Sequence, residues 1–143
     1  MPFFSFSITT QANIEEKTPL RTKVDLCPGV IHLVRIRIPP GSAGLLHCVV
    51  NHHLHQIAPS NADEDFHGDN DPIEYREWYE LEGQDTQLLV VTWNEDDTYD
   101  HEILVQFGVL PAEVLLPYAV ATAQQSIVDE LKGIWKEILT PGE

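Results

Sequence analysis

Up to about residue 110 the apolar side chains recur mainly at every second position, and beyond Pro117 they recur at every third or fourth. This change of period constrains the fold more than any other feature of the chain. A repeat of two belongs to a strand with one buried face, and steps of three and four belong to a helix stripe. Phe4, Phe6 and Ile8 alternate with Ser5, Ser7 and Thr9, and Thr22, Val24 and Leu26 alternate with Arg21, Lys23 and Asp25. The clearest strand is Val30–Ile38, rich in Val and Ile, with Arg35 and Arg37 on its polar side. Further strands are expected at Leu45–Asn51 with His52–Ile57, Ile73–Leu81, Gln87–Trp93 and Glu102–Val109. Trp78 breaks the alternation of its segment and predicts a kink or bulge there.

Turn chemistry separates these runs. Cys27-Pro28-Gly29, Pro39-Pro40-Gly41-Ser42, Gly83-Gln84-Asp85 and Asn94–Asp97 supply the prolines, glycines and Asx residues that end strands. Residues 58–72, APSNADEDFHGDNDP, form a long polar loop of the sort that is functional or mobile in compact domains. Seven or eight short strands with no helix between them argue for a mainly β fold, an antiparallel sandwich or jelly-roll-like barrel, rather than α/β. The expected organisation is a β domain over residues 1–110, a connector over 111–117 between two prolines, and a C-terminal amphipathic helix over 118–143. In that helix Val120, Ile127, Leu131, Ile134 and Ile138 follow heptad-like steps, with Val128, Trp135 and Leu139 beside them. Pro117 suits a first turn, Thr122 with Gln125 suits a capping box, and Thr140-Pro141-Gly142 suits a stop. The stripe either packs on the β domain or is buried against another subunit.

A chain of 143 residues holds a core without staples. The two cysteines, Cys27 and Cys48, make neither a disulfide framework nor a four-ligand metal site, and whether they pair is left open. No window approaches the roughly eighteen consecutive apolar residues of a membrane span, and MPFFSFSITTQ lacks the charge and apolar stretch of a signal peptide. The net charge of −15 is concentrated: residues 61–102 carry fifteen acidic side chains and one basic one, Arg76. Such a field opposes binding to nucleic acid and to anionic membranes, and it suits a solvated face or a basic partner.

Three groups of residues are candidates for chemistry. His47, His52, His53 and His55 cluster in sequence, and His53 and His55 would share one face of a strand, a spacing compatible with zinc. Asp63, Asp65, Asp69 and Asp71 surround Gly68 and offer hard oxygens to calcium, although His67 and the lack of a suitable Glu depart from the EF-hand pattern. Asp96, Asp97 and His101 would have to converge in a pocket to act as acid and base. The commoner reading of all three is a polar rim or turn. Motifs for a nucleophile elbow, a phosphate loop, a metal-hydrolase helix or a dinucleotide site are missing from the sequence, so no catalytic residue and no cofactor is expected.

The stretch from Val30 to Pro111 resembles small virion proteins of tailed bacteriophages, above all the decoration (cement) proteins of capsids. The residues that carry this are Ile38-Pro39-Pro40-Gly41 with Ala43-Gly44-Leu45, His55-Gln56-Ile57-Ala58-Pro59, Phe66-His67-Gly68-Asp69 and Trp93-Asn94-Glu95-Asp96-Asp97-Thr98-Tyr99. The resemblance covers rather more than half the chain and does not extend to the C-terminal helix. It implies a non-enzymatic β protein of the virion that forms a homo-oligomer, often a trimer, and contacts the major capsid protein. Assembly residues would be Phe4 and Phe6, on a strand available for donation to a neighbour, and Ile127, Leu131, Ile134, Trp135 and Ile138 of the helix. A ligand-binding sandwich, for carbohydrate or calcium, using the 58–72 loop is the competing expectation.

Overall fold

Eight strands form where the alternation predicts them: β1 (Phe3–Thr10), β2 (Leu20–Asp25), β3 (Gly29–Arg37), β4 (Leu46–His52), β5 (His55–Ala58), β6 (Pro72–Leu81), β7 (Gln87–Asn94) and β8 (His101–Pro111). One helix, α1 (Leu115–Leu139), follows. These elements belong to a computed structural model that describes residues 2–111, 113 and 115–139, and of the helix the side chains of 123–138. The chain divides into two units, residues 1–111 and 112–143.

The strands of the first unit make two antiparallel four-stranded sheets, ordered β1-β8-β3-β6 and β2-β7-β4-β5. This order, with every consecutive pair of strands except β4–β5 crossing between sheets, is that of a jelly roll built from two Greek keys. It is an open sandwich rather than a closed barrel. β8 occupies the middle of the first sheet, paired with β1 from Phe3↔Gly108 to Thr10↔His101 and with β3 from Gly29↔Pro111 to Arg37↔Leu104. The inward set of each strand is the apolar set of the alternation. Ile8, Ile31, Ile36, Leu46, Val50, Leu88, Val90, Ile103, Val105 and Phe107 form one cluster between the sheets, each 4% exposed or less. A smaller cluster of Val49, Val91 and Trp93, joined by Ile14 and Leu89, lies apart from it.

The irregularity expected near Trp78 is present. Between Ile31 and Leu33 of β3 the register shifts against both neighbours, so Glu77 and Trp78 of β6 both fall opposite His32. Trp78 is exposed, and its backbone N–H donates to the Glu77 carboxylate at 2.9 Å. At the start of β3, Gly29 has φ 147°, and a Cβ there would lie 2.0 Å from the backbone oxygen of Leu110. The turn Cys27-Pro28-Gly29 therefore requires glycine at its last position.

β1 pairs along its whole length with β8 of the same chain. Phe4 and Phe6 pack against the chain's own core, Phe6 with its ring 6.4 Å from that of Phe107. Phe4 and Phe6, the assembly residues expected on this strand, are thus partly buried on their own chain, and β1 forms the edge of its sheet with β8 on one side. The helix also begins earlier than expected, at Leu115, which places Thr122 within it rather than at a cap. Gln125 instead donates to Asp129 at 3.0 Å, one helical turn on.

Cys27 and Cys48 are free thiols. Cys48 is buried in the main core, and burial first, with the Asp65 carboxylate second, pushes its thiol up to about 12. At neutral pH it is a thiol and not a nucleophile. Iodoacetamide applied to the folded protein is expected to label the partly exposed Cys27 and to spare Cys48 until denaturant is added, with peptide mass spectrometry as the readout. Phe107 is fully buried at the centre of the sandwich, so Phe107→Ala is expected to lower unfolding free energy by about 3–5 kcal/mol in urea titration.

Candidate functional site

Four connections meet at one end of the sandwich, residues 11–19, 38–45, 59–71 and 95–100. They are stitched together by the backbone. Asn13 N–H donates to Asp96 O at 2.9 Å, Gly44 N–H to Gly68 O at 2.9 Å, Ile38 N–H to Asp71 O at 3.0 Å and Glu95 N–H to Leu45 O at 2.8 Å. The Ser42 hydroxyl, buried, donates to Gly68 O at 2.7 Å. The long 58–72 loop is therefore anchored, and its tightest anchor is a two-bond bridge: Cys48 N–H to Phe66 O at 3.0 Å and Phe66 N–H to Cys48 O at 2.8 Å.

That bridge builds a cluster of titratable groups. Cys48 and Phe66 turn their side chains toward the main core. The alternation of extended chain then turns His47, Asp65 and His67 the other way, onto one face. His47 Nδ1 lies 2.7 Å from Asp65 Oδ1, and His67 Nδ1 lies 2.8 Å from the same oxygen. The His47 and His67 rings are 5.2 Å apart. Trp93, the register partner of His47 on β7, stacks on His47 with its ring centre at 5.2 Å and an interplanar angle of 3°. On the other edge of the imidazole, His47 Nε2 is 3.4 Å from the Glu95 carboxylate but makes no directed hydrogen bond. The set is two imidazoles and one carboxylate with a second carboxylate behind, a donor set that suits imidazole-loving divalent metals.

The expected His53–His55 pair does not share a strand face. β4 ends at His52 and β5 begins at His55, and His53 sits in the intervening turn with φ 57°. The tight hairpin separates the two side chains that a continuous strand would have aligned. His53 instead joins His52 and Asp85: His53 Nε2 is 2.7 Å and His52 Nε2 3.0 Å from Asp85 Oδ1. His52 Nδ1 is 2.6 Å from the Tyr79 hydroxyl. Hydrogen bonds from His53 first and His52 second hold the Asp85 carboxyl below the usual range.

The four aspartates proposed for calcium have separate partners. Asp65 faces the two histidines, Asp69 Oδ1 accepts from Gly41 N–H at 2.7 Å, and Asp71 Oδ2 accepts from Asp69 N–H at 3.1 Å. Asp63 is exposed. Among the described residues these four make no group of three metal ligands.

At the β7–β8 connection, Asp96 and His101 meet but Asp97 does not join them. His101 Nε2 lies 2.8 Å from Asp96 Oδ2, both residues being buried, whereas Asp97 accepts from the Thr98 hydroxyl. Asp96 Oδ1 accepts from the Thr98 and Tyr99 N–H groups at 2.9 and 3.2 Å. Asn94 completes the turn, its amide donating to Thr10 O and Tyr99 O. This is a backbone-locking network in which every named contact closes a loop. Twelve of the fifteen acidic residues of 61–102 are exposed, the exceptions being Asp65, Glu77 and Asp96.

The helix supplies a different kind of surface. Ile127, Leu131, Ile134, Trp135 and Ile138 are all more than half exposed, and Val128 beside them is 42% exposed. Val120 and Leu139, at the ends of the expected stripe, and the Thr140-Pro141-Gly142 stop lie outside the described side chains and residues. Among the described residues no helix is long and apolar enough to cross a membrane. No protein-family model, curated protein or solved structure matches this chain.

In the sequence His47 belongs to the histidine run and Asp65 and His67 to the acidic loop, and nothing along the chain joins the two. The Asp65-x-His67 spacing was the available signal, since extended chain puts both on one side; the partner strand was not. The Asp96 network also has a measurable consequence. The Thr98 N–H, then His101, then the Tyr99 N–H hold the Asp96 carboxyl below its ordinary range. A carboxyl depressed in the folded state contributes stability above its unfolded value and loses it as pH falls. Asp96→Asn is therefore expected to lower Tm at pH 7, and the gap to the parent protein should close as pH falls below about 4.

Proposed function

We propose that this chain is a non-enzymatic structural protein, a jelly-roll head that assembles with copies of itself through helix α1. The observation that carries this reading is the stripe Ile127, Leu131, Ile134 and Ile138, spaced by four, three and four residues and exposed throughout. In heptad terms Leu131 and Ile138 stand at a, Ile127 and Ile134 at d, and Val128 and Trp135 at e. An a, d and e stripe is wider than a two-stranded seam, and Leu at a with Ile at d favours three or four helices over two. Six large apolar side chains on one face of a water-exposed helix call for burial, and the register suits a second and third copy of the same helix.

The remaining features fit that role. Jelly rolls recur among viral capsid domains, an analogy at the level of fold alone. The resemblance of residues 30–111 to decoration proteins points to a trimer on the virion, with the major capsid protein as its other partner. The exposed acidic residues of 61–102 suit solvent or a basic surface and disfavour nucleic acid and membrane. The competing carbohydrate or calcium module finds less support, since Asp69 and Asp71 accept from the backbone N–H groups of Gly41 and Asp69, and Asp65 faces two histidines.

Light scattering on the purified chain tests this. The expected mass is about three times the 16.2 kDa of one chain. Leu131→Glu with Ile134→Glu is expected to yield a monomer whose β signal in circular dichroism is unchanged. A monomeric parent protein at micromolar concentration sinks the proposal, as does an oligomer that the double substitution leaves intact.

A further inference from the structure

We propose that His47, Asp65 and His67 form a site for one divalent transition-metal ion, with Zn2+ as the simplest occupant. The argument starts from protons. Asp65 Oδ1 has an imidazole Nδ1 on either side, at 2.7 and 2.8 Å. Each contact is attractive only if a positive hydrogen or a cation lies between nitrogen and oxygen, because two lone pairs at that distance repel. If His47 is neutral and donates from Nδ1, its Nε2 carries a lone pair. That Nε2 is buried, lacks a hydrogen-bond partner and faces the Glu95 carboxylate at 3.4 Å. The neutral tautomer that satisfies Asp65 therefore opposes Glu95.

A cation held by the Nδ1 atoms and the Asp65 carboxylate removes the conflict. The proton of His47 then moves to Nε2, where Glu95 is placed to accept it. This is the arrangement in which a metal-bound histidine is oriented by a carboxylate behind it. The three donors come from the β4 strand and the anchored 58–72 loop, and their ligand atoms lie within 4.8 Å of one another. Zn–N bonds of about 2.0–2.1 Å in a tetrahedron separate ligand atoms by about 3.3 Å, so the two nitrogen–oxygen separations to Asp65 need to open by only about half an ångström. The backbone is fixed by the Cys48–Phe66 bridge, and the stacked Trp93 holds the His47 ring in plane. A fourth position is left for water or a partner's group, and two neutral imidazoles with one carboxylate select Zn2+, Co2+ or Ni2+ over calcium.

The second histidine cluster does not carry the same argument. At His52, Nδ1 meets the Tyr79 hydroxyl and Nε2 meets Asp85, so one neutral tautomer satisfies both edges. His53 and Asp85 are also open to water, at 70% and 52% side-chain exposure.

The test is Zn2+ titration of the full chain by calorimetry, followed by Co2+ absorption and by melting with Zn2+ or with EDTA. The expected result is one Zn2+ per chain with micromolar or tighter Kd, a higher Tm with Zn2+, and the visible band of tetrahedral Co2+. His67→Ala and Asp65→Asn are each expected to weaken binding by at least roughly tenfold, and His53→Ala to leave it unchanged. His67 is half exposed, so its removal spares the fold. Failure of the parent protein to take up Zn2+ at about 100 μM overturns the proposal. So does uptake that survives both substitutions, or uptake that His53→Ala abolishes, which would place the ion at the other cluster.

Discussion

The face-to-face burial of two sheets is the constraint from which the rest of the molecule follows. Each strand turns alternate side chains inward, and the inward sets of all eight strands contribute to one apolar cluster around Phe107, Ile36, Val90 and Ile103. Burial of this kind is the main favourable term in folding. It also dictates register, because a slip of one residue would turn each apolar set to water. β8 shows how strongly: it is held between β1 and β3, so the first and last strands of the sandwich are neighbours. The N-terminal strand thereby forms the edge of its sheet, paired with β8 along one side.

Burial of the strands forces the polar chemistry to the ends of the sandwich. At one end the loops bind each other through backbone groups, and the Cys48–Phe66 bridge sets the face on which His47, Asp65 and His67 meet. The same bridge places Cys48 in the core with its thiol held protonated. At the other end the tight β4–β5 turn brings His52 and His53 to Asp85. Acidic side chains are tolerated at this density because most of them are exposed, and the one well-buried aspartate, Asp96, has His101 and two backbone N–H groups as partners.

Much of the fold is legible along the chain. Val30–Ile38 is a strand because Val and Ile alternate with Arg35 and Arg37, and that reading needs no knowledge of a partner. The turns at Pro28-Gly29 and Pro39-Pro40-Gly41 are legible for the same reason, since they depend on local φ preferences. The sites were legible only in part. His53 and His55 looked like a pair because two-residue spacing on a strand aligns them, and the hairpin between them undoes it. Asp65 looked like one of four calcium ligands because it lies among aspartates, but its neighbours in space are histidines.

The sequence by itself determined the strand and helix segments, the sheet-forming character of residues 1–110, the acidic middle third and the apolar stripe of the helix. These are properties of spacing and composition, and they depend on interactions within a few residues. The tertiary structure decided which strands pair, that β1 closes on β8, and which side chains share a site. Those outcomes depend on contacts between residues far apart in the chain, such as His47 with Asp65 or Cys48 with Phe66. The periodicity of one segment carries no information about the register of another, so only the packed sandwich could bring them together.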